Sequence, residues 1–188
     1  NNFNSALGAN SAQATTFDTY NRNVTNGSTT LQIATSNYVM NADTGDSLTP
    51  SVIAATYGPP LGIGWGDSKI GIRDLPDGTS HTMIVGERSH RWCEATWTGA
   101  VTNASLFPSP GSPAMPLVDG AAAMILGHTF EGPPNASGIE CNNFNSQHPH
   151  GANFVFADGH VQFIPETISI VTFKALSTRA GGEAIGGF

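Results

Sequence analysis

Three histidines crowd around one aspartate near the C-terminus: His148, His150 and His160, with Asp158 between the last two. Imidazole and carboxylate at this density suit several divalent metals. The neighbouring residues point elsewhere. Asp158-Gly159 sits between two alternating apolar runs, which engages Asp158 in a chain reversal and leaves His148 several residues upstream. A turn and strand-entry role therefore outweighs a metal role, and no metal site is assigned. Asp74, Asp77 and Thr79 offer oxygen ligands of the kind Ca²⁺ takes, but without the acidic density of a dedicated calcium loop. Asp77-Gly78-Thr79 reads more simply as a turn leading to a cap. Glu87-Arg88 closes an apolar run as either a buried ion pair or a catalytic acid with an electrostatic helper, and the ion pair is favoured. Neither G-x-S-x-G nor H-E-x-x-H occurs. No residue is assigned a catalytic role, no cofactor is implied, and the chain is read as a non-enzyme.

Cys93 and Cys141 are the only cysteines. They are either one disulfide in an oxidising compartment or two inert buried thiols, and the secreted-looking composition favours the bridge. Its 48-residue separation would make it worth roughly 4 kcal/mol through chain entropy. Trp65, Trp92 and Trp97 are core or interface anchors, with a sugar-binding platform as the lesser reading. Four N-x-S/T sequons, at Asn23, Asn26, Asn103 and Asn135, fall in expected loops and are candidate glycosylation sites.

Composition narrows the classes that can carry these residues. Of 188 residues only 11% are charged, against roughly 25% in an ordinary soluble domain. Gly (22) and Pro (12) are abundant, so helical bundles and coiled coils are excluded in favour of strands and long loops. Seven Lys+Arg against fourteen Asp+Glu give a charge of −7 with no basic cluster, which excludes a nucleic-acid partner. No run approaches the ~18 apolar residues of a membrane helix. The chain starts at Asn1 and reads as a processed or incomplete form of something longer.

The elements that must position these residues follow from periodicity. Residues 1–27 read as a flexible polar arm, and residues 28–188 as one β-rich domain. Ser28–Ser36 alternates with Leu31 and Ile33 on one side, which predicts a half-buried strand. Lys69–Asp74, Thr82–Glu87 and Trp92–Val101 read as further strands. Residues 105–138, with six prolines, read as a long surface excursion. Asp158-Gly159 predicts a two-residue type I′ hairpin with Phe156 opposite Val161 and Phe154 opposite Phe163, all on one face. Ile168, Val171, Ala175 and Leu176 predict a short amphipathic helix ending at Gly181-Gly182.

His148, nine residues, then Asp158-Gly159 resembles the signature of the H-x9-D-G prepilin-like family of bacteria. Ala175–Glu183 is similar to that family's ending, Ile72–Arg88 to its middle motif, and Ser36–Asn41 to a further block. The resemblance runs in family order from about residue 36 to 184. It implies a mainly β (α+β) fold: a pilin-like antiparallel sheet head with long loops and a short C-terminal helix. Family members usually carry a prepilin leader and a long apolar helix like that of type II secretion pseudopilins.

The expected function is a structural subunit of an extracellular pilus-like filament or surface assembly, with other copies of itself as partner. Leu31 and Ile33 are the candidate donor strand for head-to-tail association. A cell-surface glycan- or Ca²⁺-binding module is the alternative, and a secreted hydrolase the third reading.

Overall fold

In the computed structural model the backbone is described for residues 21–26, 29–43, 61–65, 68–89, 95–96, 105–106, 118–119, 124–140 and 142–183. The central element is a five-stranded sheet. Its order is β10 (Val161–Pro165), β9 (Gly151–Phe156), β4 (Met83–Glu87), β3 (Tyr38–Asp43) and β8 (Leu126–His128). All neighbours are antiparallel except β3 and β8, which run parallel. A second sheet joins β1 (Asn21–Asn26), β2 (Thr29–Ser36) and β5 (Ala95–Thr96), while β6 (Ser105–Leu106) and β7 (Val118–Asp119) form a short ribbon. The chain is mainly β with one described α-helix, α1 (Ile170–Ser177). Among the described residues no helix is long and apolar enough to cross a membrane.

Strand alternation sorts the main sheet into two faces. Val39 pairs with Gly86, Gly86 with Phe154, and Phe154 with Gln162, which places these residues on the side that α1 covers. Phe173 and Leu176 of α1, both fully buried, pack there with Met83, Phe144, Phe156 and Ile164. Phe144, Phe154 and Phe173 meet edge to face, with centroids 5.1 Å apart for Phe144–Phe154 and 5.5 Å for Phe154–Phe173. Such pairs add ~0.5–1.5 kcal/mol beyond the area they bury. Gly86 makes room for them, since a Cβ there would lie 2.5 Å from both Phe144 and Phe154.

The hairpin is present, but its turn is longer than expected. The Gly159 N–H donates to the Phe156 carbonyl and the Phe156 N–H to the His160 carbonyl, both at 2.9 Å. Gly159, at φ +91°, is the only residue of the 157–159 loop in the left-handed region. This is a three-residue turn with a glycine bulge, not type I′. The register moves by one: Val161 faces Val155, Gln162 faces Phe154 and Ile164 faces Ala152. A one-residue shift exchanges faces. Ile164 goes into the core, while Val161 (63% exposed) and Phe163 (43%) leave it.

Four other expectations change. The alternation at 69–74 is a 3-10 turn over Ile72–Asp74, because the Asp74 carboxylate accepts the Gly71 N–H and tightens the chain. The excursion at 105–138 contains β8, which completes the main sheet through parallel pairing and so carries no hairpin signal in the sequence. Val171 points to solvent, and Phe173 takes the helix's place in the core. Residues 21–26 of the expected arm form β1, which pairs with β2: Val24 lies opposite Leu31 and Arg22 opposite Ile33. The candidate donor strand is thus paired within its own chain. Cys93, Cys141, Trp92, Trp97 and Asn103 lie outside the described residues.

Candidate functional site

The residues that carry chemistry converge along one end and one edge of the main sheet. Glu87 ends β4 on the face away from α1. Its Oε2 accepts the Asn153 backbone N–H at 2.7 Å and the Asn153 amide at 3.3 Å. Its Oε1 is 3.2 Å from His148 Nε2. Arg88, one residue on, points to the opposite face and is fully buried. Its guanidinium donates to the carbonyls of Leu126 (2.8 Å), Asn142 (2.5 Å) and Asn143 (3.3 Å). The expected Glu87–Arg88 ion pair is absent because an extended chain sends adjacent side chains to opposite sides. Burial lowers the Arg88 pKa from 12.5 to about 9.

The hairpin signature is arranged the same way. The Asp158 carboxylate accepts the His160 N–H at 3.0 Å and faces His160 Nδ1 at 2.6 Å. Those two contacts, the backbone one first, hold its carboxyl below the usual range. The Asp158 N–H donates to the Thr79 carbonyl at 3.2 Å, which ties the hairpin tip to the middle motif. The His160 ring stacks on Phe156, with centroids 4.4 Å apart. His150 pairs instead with Glu166 at 3.1 Å. The three histidines thus face three different carboxylates. Among the described residues no group of three or more His, Cys, Asp or Glu could hold a metal ion.

The calcium candidates also serve the fold. Asp77 Oδ2 accepts the Gly181 N–H at 2.7 Å and Oδ1 the Gly182 N–H at 3.0 Å. Asp74 is engaged in its own turn. The Ser36–Asn41 block joins the Ala175–Glu183 block through Asn41, which is fully buried. Its amide donates to the carbonyls of Met83 (3.0 Å) and Ser177 (2.9 Å), and its Oδ1 accepts the Ser177 hydroxyl at 2.7 Å. Trp65 is a platform for the Arg179 guanidinium, 5.2 Å from its centroid.

Asn135, a candidate glycosylation site, uses both ends of its amide. Nδ2 donates to the Gly151 carbonyl at 3.1 Å, and Oδ1 accepts the Ser146 N–H at 2.7 Å. Asn23 and Asn26 fall in β1 rather than in loops.

Sequence reasoning missed His128 entirely. It is fully buried on β8, and its Nδ1 accepts the Phe130 N–H at 3.2 Å. Burial, reinforced by the Arg88 charge, lowers its pKa from 6.5 to about 3. Nothing in a Pro-rich stretch marks one histidine as internal.

A pocket of about 180 Å³ lies beside the Glu87–His148 pair, lined also by Asn37, Tyr38, Ser89 and Gln147.

Residues 9–170 match the family model SBP_bac_10, described as a protein of unknown function (DUF1559). No curated protein matches the chain. No solved structure matches it either. The family match spans most of the sequence and takes in the middle motif, the buried Arg88 and the His148–Asp158 hairpin, so the chain belongs to the DUF1559 family.

Proposed function

We propose that the chain is a structural subunit of an extracellular, pilus-like surface assembly whose partner is another copy of itself. The observation that carries this reading is where the polar residues of the motif blocks go. Asp77, Glu87, Asp158 and Asn41 each accept or donate across blocks far apart in sequence, so they lock one β-rich head together. Residues held this way build a rigid unit rather than a reacting centre. The four ordered blocks, in their resemblance to the H-x9-D-G prepilin-like family, support the same reading.

The exposed sheet face suits association. Met40 (44% exposed), Val161 and Phe163 lie on it, and an apolar hollow of about 570 Å³ opens over Met40, Val85, Leu126 and Val155. Contiguous exposed apolar surface of this kind marks interaction sites. The test is negative-stain microscopy with sedimentation over a concentration series. Repeating assemblies that Met40→Lys disperses are the expected result. A monomer at every concentration overturns the reading.

A further inference from the structure

We infer that the pocket beside Glu87 and His148 binds a single pyranose ring of a neutral glycan. This goes beyond the assembly reading and does not depend on it. The inventory of unused hydrogen-bonding groups carries the argument. The Glu87 carboxylate is nearly buried and retains acceptor capacity at Oε1, where His148 Nε2 is its only contact among the described residues. With Nε2 facing Glu87, His148 Nδ1 remains as a further hydrogen-bonding group of the pocket. Gln147 is exposed and donates to Ser89 Oγ at 3.1 Å, which leaves its carbonyl oxygen without a partner among the described residues. The Tyr38 hydroxyl has none there either.

The pocket therefore gathers acceptors around one carboxylate, beside the ring of a tyrosine that is 43% exposed. Among the described residues no Lys or Arg lines it, which favours a neutral ligand over an anion. Its lining combines polar side-chain groups with carbon surface, and leaving those polar groups unpaired does not suit a wholly apolar ligand. A sugar ring answers both features: its hydroxyls donate to Glu87 and Gln147 and pair with His148 Nδ1 in either sense, and its C–H face lies on the Tyr38 ring. At about 180 Å³ the pocket falls short of the roughly 300–1,000 Å³ that holds drug-sized ligands, which limits the fit to one ring.

The experiment is an ¹⁵N-HSQC titration of the full chain with methyl β-D-glucopyranoside and with N-acetylglucosamine. At least one should bind with Kd on the order of 1 mM, given its few atoms, shifting the Gln147 side-chain amide and the Tyr38 backbone signal. Tyr38→Ala and Gln147→Ala should each weaken binding about fivefold or more, and Tyr38→Phe less than Tyr38→Ala. Ile72→Ala, on an exposed turn outside the pocket, should leave it unchanged. The remaining signals of each variant report that the fold is intact. No shift at about tenfold that concentration overturns the proposal. So does binding that Tyr38→Ala and Gln147→Ala leave unchanged, or a response to methylammonium in place of the sugars.

Discussion

Asn41 and Ser177 lie 136 residues apart and exchange two hydrogen bonds in the core: amide to carbonyl at 2.9 Å, and hydroxyl to amide oxygen at 2.7 Å. Neither side chain has access to water, and the Asn41 amide also satisfies the Met83 carbonyl. Asn41→Asp keeps the shape but directs a carboxylate at two carbonyl oxygens. It should cost about 3–5 kcal/mol, the range for an uncompensated buried charge. Ser177→Ala should cost about 1–2 kcal/mol. Urea unfolding at neutral pH measures both, and equal losses for the two variants would contradict this arrangement.

Arg88 donates to three backbone carbonyls from a site closed to solvent. Lysine has a compact head in place of the planar fork and cannot reach all three at once. Arg88→Lys should lose about 3 kcal/mol, since each acceptor left unpaired in a buried site costs ~1–3 kcal/mol. Amide hydrogen exchange locates the damage. Protection should fall first at His128 and Asn145, whose backbone N–H groups bond into the strands and loop that Arg88 ties together.

The hairpin turn needs one left-handed residue, Gly159. A β-branched side chain is strained there although the surrounding space is open. Gly159→Val should lower stability by roughly 1–2 kcal/mol, and Gly159→Asn by less, because asparagine tolerates that conformation. Asp158→Gly, by contrast, should fail to stabilise. A type I′ turn would need positive φ at both Asp158 and Gly159, so a clear gain of stability in thermal melts would count against the bulged turn.

His128 makes the fold acid-sensitive. Its folded pKa of about 3 lies below the unfolded value of 6.5. Between those values the unfolded chain holds a proton that the native state refuses, so stability rises with pH across that window. The contribution is complete above pH ~6.5 and should fall by on the order of 3 kcal/mol by pH ~4. Chemical denaturation at a series of pH values reads the slope. His128→Gln should flatten it, and an unchanged slope would mean that His128 is not the responsible group.

How far the sequence reveals this structure depends on the range of each signal. Asp158-Gly159 and its alternating flanks locate β9 and β10, because turn chemistry is local. The same two residues accommodate a two-residue or a three-residue loop, and the choice rests on whether Ile164 or Val161 finds room in the core. β8 is three residues long and pairs in parallel with a strand over eighty residues away, so no neighbouring turn announces it. The motif blocks are readable as blocks. Their contacts, Asp77 to Gly181 or Glu87 to Asn153, join segments 66 to 104 residues apart and have no local trace.

The link between Asn41 and Ser177 also sets an order of events during synthesis. The amide of Asn41 leaves the translating ribosome long before the serine that satisfies it. Until residues 177–182 emerge, the core lacks its polar closure and Asp77 lacks the two N–H groups it holds. Contacts of such long sequence separation form slowly. The core of this sheet is therefore closed late in synthesis, by the last segment of the chain to be made.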